Sequence, residues 1–241
     1  MTSSAATLSD TAQSWEDVLE RRLSAPDAAT GLIRFDYAGF AGSEADRAAL
    51  DAYIAELADT PEPEDDAEAA AYWANLYNAV TIDVVADNHP VSSIKKIGGG
   101  LFSSGPWKKD LVTVRGEDLS LDDIEHDILR VRYPSPLVHY MVNCASVGCP
   151  NLQPRLWRGE TLDADREAAA RAFVNSPRGV RVDGDRIAVS SIYDWFQADF
   201  GGTKSAVIDH LRDYAEPGLE AELDGARRYD SHSYDWDLNG Q

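Results

Sequence analysis

AEAAAYWANLYNAVTIDVVAD, residues 67–87, is the stretch on which the fold turns. Its apolar residues run nearly all the way round a 3.6-residue wheel, the pattern of a helix buried on every side. His89 and Pro90 close it, because proline offers no amide hydrogen and its ring blocks a continuing helix. Two amides break the apolar surface. Asn75 and Asn78 fall about 60° apart on the wheel, and Ala71 and Ala74 flank them, leaving room for another segment to come close. A buried amide costs free energy unless it is bonded. Both must therefore find partners, either by tying loops to the core or by serving a site.

Toward the N-terminus, PEPEDD at 61–66 is a turn-rich acidic connection. Before it, Ser43 precedes a periodic run through Leu57, a helix. LIRFDYAGF (32–40) reads as extended. SWEDVLERRLS (14–24) reads as an amphipathic helix with Trp15, Val18, Leu19 and Leu23 on one side. Residues 1–12 are small and polar, a frayed start. MTSSAATLSD has neither the basic region nor the apolar core of a secretory signal.

Toward the C-terminus, IGGGLFSSG (97–105) reads as a flexible loop without the Gly-Lys-Ser/Thr ending of a phosphate-binding loop. LVTV (111–114) reads as a strand and Arg115-Gly116 as a turn. Ser120 is a helix N-cap, with Asp123 as its capping-box acid. The helix from Leu121 to Leu129 has an apolar stripe of Leu121, Ile124, Ile128 and Leu129, and Glu125 falls inside it. A carboxylate there is either paired, with Arg130 or Arg132 at hand, or raised in pKa. His126 stands on the flank. Further on come an acidic, alanine-rich helix at 163–174 and a hairpin, GVRVDGDRIAV (179–189), around Asp183-Gly184. Helices follow after Ser190 or Ser191 and over 203–215, and the tail docks through Tyr234 and Trp236.

The candidate chemistry is concentrated in LVHYMVNCASVGCP, residues 137–150, which holds both cysteines of the chain. The segment through Cys144 reads as a strand whose period of two puts His139, Met141 and Asn143 on one face. Cys144 then lies at the strand exit, where the small-residue loop ASVG begins. As a nucleophile it needs a base, His139 or His126, and a group to orient that base, Glu125 or Asn78. Amides of the ASVG loop are candidate oxyanion donors. Three other readings stand beside this one. Cys144, Cys149 and two histidines match zinc chemistry, although the C-x4-C spacing lacks a second pair. A redox pair is wider here than C-x-x-C. Both cysteines can also be simple packed thiols.

The bulk composition narrows the partners. With 42 acidic against 22 basic residues in 241, the net charge is -20. Such a surface repels nucleic acid and anionic lipid, and it resembles the composition of salt-adapted proteins. No run of eighteen apolar residues predicts a membrane span. The expectation is one α+β domain over residues 1–241, cytoplasmic, acting on a peptide or small acyl substrate, with no cofactor and no metal.

YWANLYNAVTI (72–82), LSLDDIEHDILR (119–130), VHYMVNCASVGCPNL (138–152), IYDWFQADFGG (192–202) and YDWDLN (234–239) together resemble a bacterial and archaeal family called domain of unknown function 547. The resemblance runs from about residue 66 to the C-terminus and leaves residues 1–65 as a helical extension. It implies kinship with papain-like and transglutaminase-like cysteine peptidases: an α+β fold, a central buried helix on a small antiparallel sheet, and thiol chemistry on acyl groups. The family's characteristic positions fall on Trp73, Asn75, Tyr77, Asn78, Glu125, His126, His139, Asn143, Cys144, Cys149 and Pro150. Tyr72 stands where the family usually has phenylalanine. Papain-like enzymes start the central helix with the nucleophile, whereas residues 67–87 contain no cysteine. The candidates are therefore Cys144, His139, His126, Glu125 and Asn78 for catalysis and Asn75, Asn143, Cys149 and Trp73 for binding. Cysteine-dependent acyl transfer or amide hydrolysis stands against two alternatives, a ligand-binding cleft without turnover and a structural module.

Overall fold

Three N-terminal helices begin where a short polar side chain can cap them. In the computed structural model, which describes residues 9–98 and 105–241, Ser9 accepts from the amide of Ala12 to start α1, Asp10–Arg22. Asp36 caps α2, Tyr37–Ala41, and Ser43 caps α3, Glu44–Asp59. Of the start read as frayed, residues 1–8 lie outside the described residues, as does the middle of the 97–105 loop, and residues 10–12 are not frayed but form the first turn of α1, because Ser9 caps it. The piece read as extended is so only around Phe35, which bridges both Leu23 and Gly240 before the chain turns into α2.

Helix α4, Asp66–Asp87, is capped by Asp65, whose carboxylate accepts from the amides of Ala67 and Glu68. Almost every residue from Ala69 to Ala86 is buried, as the all-round apolar pattern requires. Its N-terminal half packs in one apolar cluster with Leu121, Tyr140, Trp157 and Phe173. Its C-terminal half packs in a second with Trp15, Phe35, Phe40 and Leu50. Its principal neighbours are helical: α2, α3, the helical segment at 123–129, the turn Gly159–Thr161 and α6, Leu162–Val174.

The sheets are small and lie to the side. Strands β1, Val112–Val114, and β2, Glu117–Leu119, pair antiparallel. They join through Arg115 and Gly116, both at positive φ (51° and 88°), as a tight hairpin requires. Ser120 and Asp123 then form the expected reciprocal cap, with the amide of each bonded to the other's side chain. The helix that follows widens into π geometry over Asp123–Leu129 before closing as α5, Arg130–Arg132. A second sheet has β3, Val180–Asp183, antiparallel to β4, Arg186–Ser190, and β5, Ser231–Ser233, parallel to β4. Helices α7, Ile192–Trp195, α8, Lys204–Tyr214, and α9, Pro217–Glu222, complete a mixed α+β fold dominated by helices. No helix among the described residues is long and apolar enough to cross a membrane.

One expected element does not form. Residues 137–143 are not a strand: Pro136–Tyr140 is a 3-10 helix capped by Ser135, and the chain then runs irregularly to Cys144. Every residue from Leu137 to Asn143 is buried, so no solvent face exists for a period of two to mark. Pro136, which fixes its own φ and donates no amide, suits the first turn of a helix.

Candidate functional site

The loop carrying both cysteines is fastened on three sides. From α4, Asn78 Nδ2 donates to the carbonyl of Met141 at 2.8 Å and Asn78 Oδ1 accepts the amide of Asn143 at 2.8 Å. From within, Asn143 Nδ2 donates to the Pro150 carbonyl at 2.7 Å, and its Oδ1 accepts from the Ala145 amide at 2.9 Å, which closes the loop into a ring. From outside, the C-terminal tail lies along it: the amides of Val147 and Gly148 donate to the carbonyls of Asp237 and Asp235. Gly148 is needed here, because a Cβ would stand 2.9 Å from the Asp235 nitrogen and the Tyr234 ring. Ala145 is held at a φ of +60° directly after Cys144, a conformation that costs an L-residue free energy and persists only when its surroundings enforce it. These bonds also answer the oxyanion expectation. The ASVG amides of Ala145, Val147 and Gly148 are occupied by Asn143 and the tail, and that of Ser146 bonds Cys149 sulfur.

The two sulfurs lie 2.7 Å apart. The Tyr234 hydroxyl reaches both, at 3.1 Å from Cys144 Sγ and 2.9 Å from Cys149 Sγ, and the Cys144 amide donates to Cys149 Sγ at 3.0 Å. Two thiols this close share their protons. Burial alone would raise the Cys149 thiol. The Cys144 thiol, the Tyr234 hydroxyl and the amides of Cys144 and Ser146 outweigh burial and hold it below the usual thiol range. Donation to Cys149, together with burial, pushes the Cys144 thiol well up. Of the two thiols, Cys149 is therefore the one that ionises more readily. The cationic Arg178, whose fork grips the carbonyls of Val147 and Cys149, acts electrostatically on the same sulfur.

His139 is 3% exposed. Its Nε2 meets Asp199 Oδ2 at 2.7 Å, and its ring stacks on Phe196 with centroids 4.4 Å apart. Arg130 takes the same carboxylate with its Nε and Nη2 at 2.6 and 3.0 Å. The hydrogen bond from His139, and then that from Arg130, hold the Asp199 carboxyl well below the usual carboxylate range despite its partial burial. Arg130 also donates to His126 Nδ1 at 3.3 Å. His126 lies 3.8 Å from Asp122 and 3.9 Å from Glu125. The arginines expected for Glu125 are engaged elsewhere, Arg130 with Asp199 and Arg132 with Glu62. Glu125 instead neighbours the buried Tyr77, whose phenol burial and then this carboxylate push well above its ordinary value.

These groups line one cavity of about 190 Å³, which gathers Cys144, Cys149, His126, His139 and Glu125. Aromatic side chains make up much of the rest of its walls: Trp107, Trp195, Phe196, Tyr234 and Trp236. Trp236 packs edge-on against Trp107 and stacks on Trp195. Neither sulfur has an imidazole among its hydrogen-bond partners. Cys149 is buried and Cys144 only partly so, and both sulfurs have polar partners. Among the described residues, no group of three or more His, Cys, Asp and Glu is arranged to hold a metal ion.

The other candidates lie outside the cavity and support it. Asn78 and Asn143 hold the cysteine loop. Asn75 grips Trp157 through both its backbone amide and its carbonyl, at 3.0 and 2.9 Å. Trp73 Nε1 donates to Glu62, fixing the start of α4 to the preceding connection. Sequence reasoning gave no role to Asp199, Arg178 or Phe196. IYDWFQADFGG holds two of them, Phe196 and Asp199, but its second acid, Asp194, gave no way to tell which carboxylate is the buried partner.

Comparison with known proteins finds no match among curated proteins and none among solved structures. The family comparison does find one, and it covers α4, the π-helical segment, both cysteines and α6. Residues 62–174 match the model of the family described as "Protein of unknown function, DUF547".

Proposed function

We propose that the cavity is a cysteine-dependent acyl-transfer site, hydrolysing or exchanging the amide or thioester of a small acyl substrate. The observation that carries the reading is the close sulfur pair, with hydrogen-bonding groups converging on Cys149, in the same cavity as an imidazole already bonded to a carboxylate. A thiolate is the reactive form of cysteine, and the groups converging on Cys149 favour its sulfur as the nucleophile over Cys144, the candidate read from the sequence, with Cys144 as its proton-sharing neighbour. In the step envisaged, Cys149 Sγ forms a bond to the acyl carbon and the carbonyl electrons move to oxygen, where the Tyr234 hydroxyl donates. The carbon–nitrogen or carbon–sulfur bond then breaks, and the leaving group takes a proton from His139. Water next attacks the thioester, His139 takes the proton of that water, and the Cys149 thiolate leaves. Asp199 keeps the ring oriented and stabilises its protonated form, as the third member of such sites does. Substrate must draw His139 and the sulfur together, as catalytic contacts tighten in the bound complex. The papain-like and transglutaminase-like kinship belongs to this same proposal.

The test is iodoacetamide labelling against pH, with mass spectrometry to locate the label, in wild type, Cys144→Ser and Cys149→Ser. The expected profile has labelling at neutral pH with an apparent pKa below the free value of about 8.5. It persists in Cys144→Ser, whose hydroxyl still donates, and is lost in Cys149→Ser. Labelling with an ordinary thiol profile in all three would refute activation.

A second reading rests on the missing sulfur–imidazole contact: the same aromatic walls hold a small ligand without turnover. An acyl adduct on cysteine after exposure to 4-nitrophenyl acetate supports the first reading. Ligand-induced stabilisation without any adduct supports the second.

A further inference from the structure

On the other side of Tyr234 lies a second cavity, of about 290 Å³, with Arg34, Arg178 and Arg181 in its walls. In a chain with 42 acids and 22 basic residues, three arginines gathered without a carboxylate partner are an anomaly. Among the described residues, none of the three forms an ion pair. Arg34 Nη1 donates to the Gly240 carbonyl at 2.9 Å, and Arg181 Nη2 to Ser233 Oγ at 3.1 Å. Arg178 donates to the carbonyls of Val147 and Cys149 and to Asn151 Oδ1, with its plane over the Phe173 ring. Its Nε is buried and has no partner. A guanidinium has five N–H donors, so these neutral acceptors leave each of the three with donors to spare. Asp235 is the one acid in the walls, and Asp27 exerts only a minor pull on Arg34.

We infer that this cavity is a binding site for the oxyanion of a small ligand, a carboxylate or phosphate group. The planar fork of arginine matches both groups in two-point geometry. The fixed arginine, Arg178, supplies the floor, and the outer two close on the anion. A neutral or cationic ligand would leave the excess charge uncompensated. The inference is independent of the thiol chemistry proposed above, because it uses neither sulfur. The two cavities nevertheless share Tyr234, and Arg178 holds the carbonyl of Cys149, so an anion bound here sits one residue from the sulfur pair.

Calorimetric titration with inorganic phosphate and with acetate, at ionic strength held constant by chloride, tests the site. Wild type is compared with the Arg34→Gln, Arg181→Gln double variant. Both residues are at least partly exposed, and neither takes part in the core, so the variant should keep the wild-type melting temperature. Saturable binding of one anion that weakens by about tenfold or more in the variant supports the inference. Phosphate preference then identifies a phosphorylated ligand, and acetate preference a carboxylate. No saturable binding of either anion, or binding unchanged in the variant, overturns it.

Discussion

Asn75→Ala and Asn78→Ala should destabilise the protein by different amounts, and the difference follows from what each leaves behind. Removing the Asn78 amide strands the Asn143 amide hydrogen. The Met141 carbonyl keeps a donor, because Trp157 Nε1 also reaches it at 3.0 Å. One buried unsatisfied group costs about 1–3 kcal/mol, so Asn78→Ala should cost about 2 kcal/mol. Removing the Asn75 amide strands both the amide and the carbonyl of Trp157, which have no second partner among the described residues. Two stranded groups put Asn75→Ala near about 3–4 kcal/mol. The two sites share Trp157, whose backbone answers to Asn75 and whose indole backs up Asn78. Loosening that residue weakens the reserve donor at Met141, so the double variant should lose more than the sum of the singles. Urea unfolding with a common slope measures all three values. Equal losses for the two single variants, or a loss below about 0.5 kcal/mol for Asn75→Ala, would refute the account of these amides as struts.

Two further outcomes are expected. His210 is packed among Tyr140, Phe200 and Tyr214, with Tyr140 OH 2.7 Å from its Nε2, and burial, then His139, lower its pKa to about 4. Its unfolded value is about 6.5, so the unfolded state binds the extra proton. Stability is therefore full above that value and falls by up to about 3 kcal/mol as pH drops toward 4. Chemical denaturation across this window should show the fall in wild type and a flatter profile in His210→Gln. Glu16 is 2% exposed, accepts the amide of Leu156 at 2.8 Å and pairs with Arg158 at 2.7 Å. Glu16→Ala strands both and should cost about 3 kcal/mol in urea unfolding, whereas Glu16→Gln keeps the Leu156 bond and should cost less.

The sequence announces α4 clearly because burial on all sides leaves an unambiguous mark, and its caps and proline stop are local chemistry. Ser43, Ser120 with Asp123, and the Asp183-Gly184 hairpin were legible for the same reason. The segment 137–143 was not. A run buried on every side carries no periodicity of its own, and alternation between His139, Met141 and Asn143 imitates a strand. The partner of Glu125 was also out of reach, since Arg130 stands at helical spacing yet turns to Asp199, 69 residues away in sequence. The helix widens into π geometry over Asp123–Leu129, yet Glu125 still faces inward, its side chain 14% exposed beside Tyr77. Tyr234 was legible as a docking residue, but its hold on two sulfurs depends on a tail that returns to them from 85 and 90 residues away.

The cavity also bears on how much of the chain constitutes the functional unit. Residues 62–174 carry the sulfurs, both pocket histidines and Glu125. They lack the groups that give these side chains their chemical character. Asp199 bonds His139, the Tyr234 hydroxyl meets Cys149 Sγ, Arg178 bonds the Cys149 carbonyl, and Trp195 and Trp236 wall the cavity. Without Asp199 the buried His139 loses the hydrogen bond that orients it, and without Tyr234 and Arg178 the sulfur pair loses a hydroxyl donor and a nearby positive charge. The N-terminal helices contribute differently. They touch none of the cavity, but Glu16 of α1 bonds the amide of Leu156 and the guanidinium of Arg158. Asn75 of α4 holds Trp157 between them, and Trp157 reaches Met141 at the root of the cysteine loop. A chain of buried polar bonds therefore runs from α1 to the loop that holds both sulfurs. Loosening α1 should disturb the cavity through that chain rather than through any contact with it.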